Sequence, residues 1–293
     1  MREETVLNLH EIRYVRLGTE NLDSAEEYAT KILGMESVRR EGKSLYLRSD
    51  SRDHTLCYFE GDPKDQTVGF EVVSSDDLSS AADSLENRGY KVRAGTSEEC
   101  EQRRVNAFIH FVDPSGTQVD VVLRPHASGR RYFPSRDAGI TGFSHVGLYS
   151  SDPKRDEQFW TQIGGARVSD RIGDAALLRI NPVHHTLALF PANHGGVQHI
   201  NHQVESIDDI FRAYYLLKEK GVEIRFGPGR HATSGAHFLY FAGPDGMTFE
   251  YSCGVKVFTD EEERAHHPRQ FPVEPKSFCI LGSKPMGIPG FES

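Results

Sequence analysis

The chain repeats itself, and this constrains its architecture more than any other feature. "RYVRLGTENLDSAEEYATKILG" (13–34) aligns with "SHVGLYSSDPKRDEQFWTQIGG" (144–165) at an offset of 131, pairing Val15 with Val146, Leu17 with Leu148 and Gly34 with Gly165. "FEVVSSDDLSSAADSLENRGYKV" (70–92) aligns with "HQVESIDDIFRAYYLLKEKGVEI" (202–224) at 132, and "HFVDPSGTQVD" (110–120) with "YFAGPDGMTFE" (240–250) at 130. Self-similarity in three blocks, with drifts of one residue in the loops, identifies a duplication. The two copies part at "RPHASGRRYFPSRDAG", a stretch rich in Gly, Pro and Arg as linkers are. The predicted organisation is an N-terminal domain over 1–124, a linker over 125–141, a C-terminal domain over 142–258 and a tail over 259–293.

Each copy reads as the same unit used twice. Strand-like segments at 12–18, 66–73, 143–150 and 197–204 each run into an amphipathic helical pattern. Asp23, Asp76, Asp152 and Asp208 lie near the helix starts, where a carboxylate meets free amides and the positive end of the dipole. Gly34, Gly89, Gly165 and Gly221 follow the helices, as left-handed terminators do. Further short strands then follow. The expected fold is α+β: four βαβββ modules, two per domain, with curved mixed sheets around a central cavity.

Composition narrows the partners. A net charge of −9 argues against nucleic acid or an anionic membrane surface. No apolar run is long enough for a membrane span, and the start lacks the features of a signal peptide. Cys57, Cys100, Cys253 and Cys279 are scattered without a CxxC pair, so neither a disulfide framework nor a thiolate zinc site is indicated. A cytoplasmic protein with reduced thiols is expected.

Strand parity locates the chemistry. Alternate residues of a strand face opposite sides. In "HINHQV" Ile200, His202 and Val204 share the face a following helix would cover, leaving His199, Asn201 and Gln203 opposite. In "HVGLYS" Val146 and Leu148 take the helix face, leaving His145, Gly147 and Tyr149. In "MTFEYS" Met247, Phe249 and Tyr251 take it, leaving Glu250 between Thr248 and Ser252. Three strands of the second copy thus each turn one good ligand, His145, His199 or Glu250, away from the helices. Two imidazoles and one carboxylate form the facial triad of mononuclear non-haem Fe(II) sites. Parity alone equally allows three unrelated polar residues in a watery cavity. The first copy carries Tyr14, Thr67 and Asp120 at the matching positions and cannot build the same site.

Beyond parity, the chain resembles a known family. Its two-domain plan, with His145, His199 and Glu250 in the second copy and the blocks "PVHHTLALF", "HINHQVESIDDIFRA" and "GPGRHATSGAHFLYFAGPDGMTFEYSCG", is similar to type I extradiol catechol dioxygenases of the vicinal oxygen chelate superfamily. The resemblance spans about residues 11–258. It implies that His145, His199 and Glu250 hold Fe(II), with Mn(II) as the alternative, and that a catechol ring is opened by dioxygen outside the diol to a hydroxymuconic-semialdehyde-type product. It further implies that His184 is the acid–base residue on the dioxygen side, that His231 hydrogen-bonds a substrate hydroxyl, and that Tyr240 is the active-site tyrosine. The expected partners are a catecholic small molecule and dioxygen, with assembly as a homo-oligomer. Family members acting on carboxylate-bearing catechols often carry an arginine where this chain has Phe226, which points to an apolar or neutral ring substituent. Two alternatives belong to other classes. A glyoxalase-, epimerase- or thiol-transferase-like enzyme would need a further protein donor, and "TLALF" has no acidic residue to supply it; a non-enzymatic binding protein would need no metal.

The two histidines of "HINHQV" give a direct test of the register. His199→Ala should leave a folded protein that has lost its metal, whereas His202→Ala should keep metal and activity and cost about 1–2 kcal/mol of stability. The reverse pattern in metal content and turnover would mean a one-residue slip of this strand.

Overall fold

A computed structural model describes residues 7–288, so the ends of the predicted N-terminal domain and tail lie outside it. The first copy supplies β1 (Glu11–Thr19), β2 (Glu36–Glu41), β3 (Ser44–Arg48), β4 (Leu56–Glu60), β5 (Gln66–Val72), β6 (Arg93–Ala94), β7 (Val105–Val112) and β8 (Gln118–Pro125). The second supplies β9 (Ile140–Ser150), β10 (Arg167–Ile172), β11 (Ala175–Arg179), β12 (Leu187–Pro191), β13 (Val197–Val204), β14 (Ile224–Arg230), β15 (His237–Ala242) and β16 (Thr248–Cys253), and the tail adds β17 (Arg269–Phe271). Two mixed sheets result, ordered β2-β3-β4-β1-β5-β8-β7-β6 and β14-β15-β16-β13-β9-β12-β11-β10-β17. The duplication survives in the register: β1 runs parallel to β4 with Val15 opposite Leu56, and β9 runs parallel to β12 with Val146 opposite Leu187. The α+β expectation holds, with helices α1 (Leu22–Tyr28), α2 (Ser75–Asn87), α3 (Ser97–Arg103), α4 (Pro153–Gln158) and α5 (Ile207–Glu219), α1 and α4 each continuing through a wider turn to residues 33 and 163.

Local chemistry accounts for the helix ends. Asp152 caps α4 directly, while Asn21, Ser74 and Ser206 cap α1, α2 and α5, so Asp23, Asp76 and Asp208 sit two residues further in, in the first turns. Gly34, Gly89, Gly165 and Gly221 all take positive φ, which a side chain would disfavour.

The two copies share one core. The end of α4 delivers Phe159 and Trp160 to the first copy, where Trp160 meets Phe70 at 5.4 Å and Phe159 meets Tyr90 and Phe111 at 5.2 and 5.9 Å between ring centroids. The first copy reciprocates. Tyr28 of α1 stacks on Phe249, its hydroxyl donates to the Ala242 carbonyl, and the Tyr251 hydroxyl donates to the Leu33 carbonyl at 2.7 Å. Each unit thus covers the apolar sheet face of the other, and the opposite faces hold the polar residues together with smaller apolar clusters.

This seam predicts cooperative unfolding. Phe70→Ala removes an aromatic wall from Trp160, the sole tryptophan of the chain, and should cost about 3–5 kcal/mol. Tryptophan fluorescence and backbone circular dichroism should shift together in urea; separate midpoints would mean that the two halves unfold independently.

Candidate active site

The second sheet brings its polar residues together across adjacent strands. Strand β13 lies between β9 and β16, and Asn201 pairs with His145 on one side and Glu250 on the other. His199 stands on the same face of β13, opposite Gly147. Glycine is required there, since a Cβ at residue 147 would lie 2.2 Å from His199 Nδ1. The donor atoms converge. His145 Nε2 is 3.2 Å from His199 Nε2 and 3.0 Å from Glu250 Oε2, and His199 Nε2 is 3.4 Å from the same oxygen. A divalent ion about 2.1 Å from each donor, with the donors at right angles, would separate them by roughly 3.0 Å.

Two further observations fit a cation at this point. Glu250 Oε2 is buried and satisfied by no hydrogen bond, although two imidazole nitrogens lie close by: their geometry is that of atoms aimed at a common centre rather than at one another. The Gln198 side-chain oxygen meets His199 Nδ1, which puts the proton on Nδ1 and leaves Nε2 with a free lone pair. Burial alone would raise the Glu250 carboxyl, but the facing imidazoles of His145, His199 and His231 hold it well below the usual range. His199 is pushed down by burial and so stays neutral, as a ligand must be. Of the described residues, only these three form a group of metal-donor type.

His231 and Tyr240 lie beside this cluster. Tyr240 pairs with Glu250 across β15 and β16. Its hydroxyl is 3.2 Å from His231 Nε2, itself 3.5 Å from Glu250 Oε1. His231 Nδ1 donates to the Phe278 carbonyl at 2.9 Å, so a residue of the tail orients the ring. Beside them lies an apolar wall of Ile172, Leu177, Ala188, Phe190, Phe226 and Phe238, onto which the tail lays Phe278 and Ile288.

His184 does not occupy the place expected of it. Its ring turns away from the donor cluster toward Asp170, 2.9 Å from His184 Nε2. The imidazole next to the cluster is that of His185, whose centroid lies 4.2 Å from that of His145. Residues 180–186 form a connection rather than a strand, so parity could not distinguish neighbours there. The repeat could have: at offset 131, His185 rather than His184 aligns with a histidine, His54. His202 sits on the helix side between Phe143 and Phe249, and burial lowers its pKa to about 3.

The first copy has a different solution at the matching place. Asp120 is fully buried and accepts from Arg103 Nε at 2.7 Å and from the Tyr14 hydroxyl at 2.9 Å, with His110 Nδ1 at 2.8 Å. A guanidinium already supplies the positive charge that a metal would bring.

The chain is similar to known proteins in both sequence and fold. Residues 11–121 and 142–251 match the sequence profile of the Glyoxalase/Bleomycin resistance protein/Dioxygenase superfamily. The chain is 28% identical over 277 residues to an iron-dependent extradiol dioxygenase of Rhodococcus jostii (strain RHA1), covering 87% of this chain and 92% of that protein. It is 25% identical over 276 residues to a manganese-dependent 2,3-dihydroxybiphenyl 1,2-dioxygenase of Geobacillus genomosp. 3, covering 85% and 87%. In fold it matches the Mn(II)-bound glyoxalase from Novosphingobium aromaticivorans with a TM-score of 0.85 at 24% identity, over 97% of this chain and 94% of that one.

The contrast between the halves is testable by metal analysis. Asp120→Asn should leave about one metal per chain and lower stability by about 3–5 kcal/mol, because it strands a buried guanidinium. A second stoichiometric metal in the wild type, abolished by this change, would show the first half to be a working site.

Proposed function

The chain belongs to the Glyoxalase/Bleomycin resistance protein/Dioxygenase superfamily, and on that premise we propose that it opens catecholic rings by extradiol cleavage with dioxygen at a mononuclear centre held by His145, His199 and Glu250. The observation that carries this reading is the convergence of the donor atoms of two imidazoles and one carboxylate from the middle strands of the second sheet. Iron(II) is the proposed metal, and manganese(II) suits the same donors. When bound, the metal supplies open coordination positions at which the diol oxygens and dioxygen meet, and it lowers the pKa of the coordinated hydroxyl.

The chain's own residues do the rest. His185, packed on His145, is the group positioned to take up the substrate's hydroxyl proton at Nε2 and return it to the product, the role that the family resemblance gives to its neighbour His184. His231, fixed by the Phe278 carbonyl, presents Nε2 toward a diol oxygen. The Tyr240 hydroxyl, which burial and the Glu250 carboxylate push well above its usual pKa, stays protonated and acts as a donor. The wall of Ile172, Leu177, Phe190, Phe226 and Phe238 excludes water and offers no cation to a carboxylate, which supports a catechol with an apolar ring substituent. A glyoxalase-type reaction is the second reading, supported by the Mn(II)-bound structural relative. The missing fourth protein donor disfavours it, since β12 reads Leu-Ala-Leu-Phe-Pro. A cytoplasmic location and assembly as a homo-oligomer complete the proposal. The four unpaired thiols are in keeping with a reducing compartment.

The iron-loaded protein, incubated anaerobically with a panel of catechols and then given air, should consume dioxygen and turn yellow. No uptake with any of them while iron stays bound would reject the reading. His185→Phe should retain iron and catechol affinity while kcat falls roughly 10²–10⁴-fold, the usual worth of a positioned acid–base group. Loss of iron in that variant would instead make His185 a ligand.

A further inference from the structure

Behind His185 lies a chain of buried polar groups that the proposed reaction does not itself use. His185 Nδ1 is 3.1 Å from His184 Nδ1, and His184 Nε2 is 2.9 Å from Asp170 Oδ2. His184 and Asp170 are completely buried. Arg269, brought alongside because β17 pairs with β10, donates its backbone N–H and Nε to Asp170 Oδ1 at 3.1 and 2.9 Å, and Nη2 to Oδ2.

These contacts have only one consistent assignment of protons. A carboxylate can only accept, so His184 Nε2 carries a hydrogen. Burial lowers the pKa of His184, which keeps the ring neutral despite the carboxylate, so its Nδ1 bears a lone pair. For Nδ1 to meet Nδ1 at 3.1 Å, His185 must then donate. A neutral His185 with its hydrogen on Nδ1 has its lone pair on Nε2, the atom on the far side of the ring. Resting on the extradiol reading for the identity of the reaction, we propose that Asp170 and His184 are positioning residues that hold His185 in the tautomer with a basic Nε2, and that Arg269 ties this brace to the C-terminal segment.

The first copy provides an internal contrast. At offset 131, Asp170, His184 and His185 correspond to Arg39, Asp53 and His54. There the outer pair is an Arg39–Asp53 ion pair of 2.6 Å, and both ring nitrogens of His54 lack a hydrogen-bond partner. The oriented Asp–His–His series occurs only in the half that has the donor triad. Nor is it needed to close the sheet, since the first copy folds to the same strand register without it.

The test reads protons directly. Two-bond ¹H–¹⁵N correlation on the protein loaded with diamagnetic zinc(II), assigned by loss of signals in His184→Gln and His185→Gln, should show the His185 hydrogen on Nδ1. In Asp170→Asn the oxygen stays with Arg269 and the amide N–H₂ faces His184, so both rings should switch and His185 should carry its hydrogen on Nε2. With iron, that variant should keep its metal content and a KM within about threefold, while kcat falls roughly 10²–10⁴-fold, as when a general base is lost. Arg269→Gln, which leaves the carboxylate and both imidazoles, should keep the wild-type tautomers and lose less than about tenfold in kcat. The proposal is overturned if wild-type His185 is protonated on Nε2, or if Asp170→Asn loses activity with its tautomers unchanged. It is equally overturned if Arg269→Gln loses as much as Asp170→Asn. The wild-type spectrum decides even where a variant does not fold. Because the tautomer is read without turnover, a wild type that cleaves no catechol would reject the extradiol reading while leaving the brace to stand or fall on its own result.

Discussion

A carboxylate buried in the middle of a sheet is the constraint around which this molecule is arranged. Glu250 is almost wholly removed from water, and an ionised group in that position is costly unless opposite charge or hydrogen bonds compensate it. Three imidazoles face it, and two of them point nitrogens at the place where a cation would sit. Strand order, the glycine at 147 and the side-chain oxygen of Gln198 are all intelligible as means of directing those nitrogens. Without a cation the cluster is a collection of weakly satisfied polar atoms; with one it becomes a complete facial donor set.

The duplicated half shows what the same backbone does when that constraint is relieved internally. Asp120 occupies the place of Glu250, but Arg103 supplies the charge and Tyr14 and His110 complete the hydrogen bonding. Where the second half gathers a donor set for an exogenous cation, the first half holds a closed ion pair. The first half still contributes to the second through the shared core: Phe70, Tyr90 and Phe111 form the surface on which Phe159 and Trp160 rest. Chemistry and packing have thus separated between two copies of one unit.

Much of this was legible in the sequence because it depends on local periodicity. The repeat revealed the module order, and strand parity found His145, His199 and Glu250, each on a regular strand flanked by apolar residues of the opposite face. Parity also sent His202 to the helix side, where Phe143 and Phe249 surround it. Parity carries nothing at His184 and His185, which lie in a connection where neighbouring side chains obey no alternation, and there the family resemblance chose His184. Which of the two faces His145 is decided by Asp170, fourteen residues away in β10, and by Arg269 from the tail. The tail itself was unreadable for the same reason. Its roles, a short edge strand, a carbonyl for His231 and apolar side chains over Phe226 and Phe238, come from long-range contacts that leave no periodic signature.

The central claim is that the second half opens a catechol ring next to the diol and inserts both atoms of dioxygen. Mass spectrometry of the product formed under ¹⁸O₂, quenched before the carbonyl oxygens exchange with water, tests this most directly. The account predicts a ring-opened, yellow semialdehyde-type product carrying two labelled oxygens. A colourless dicarboxylate from cleavage between the hydroxyls, or a product carrying one label or none, would contradict it.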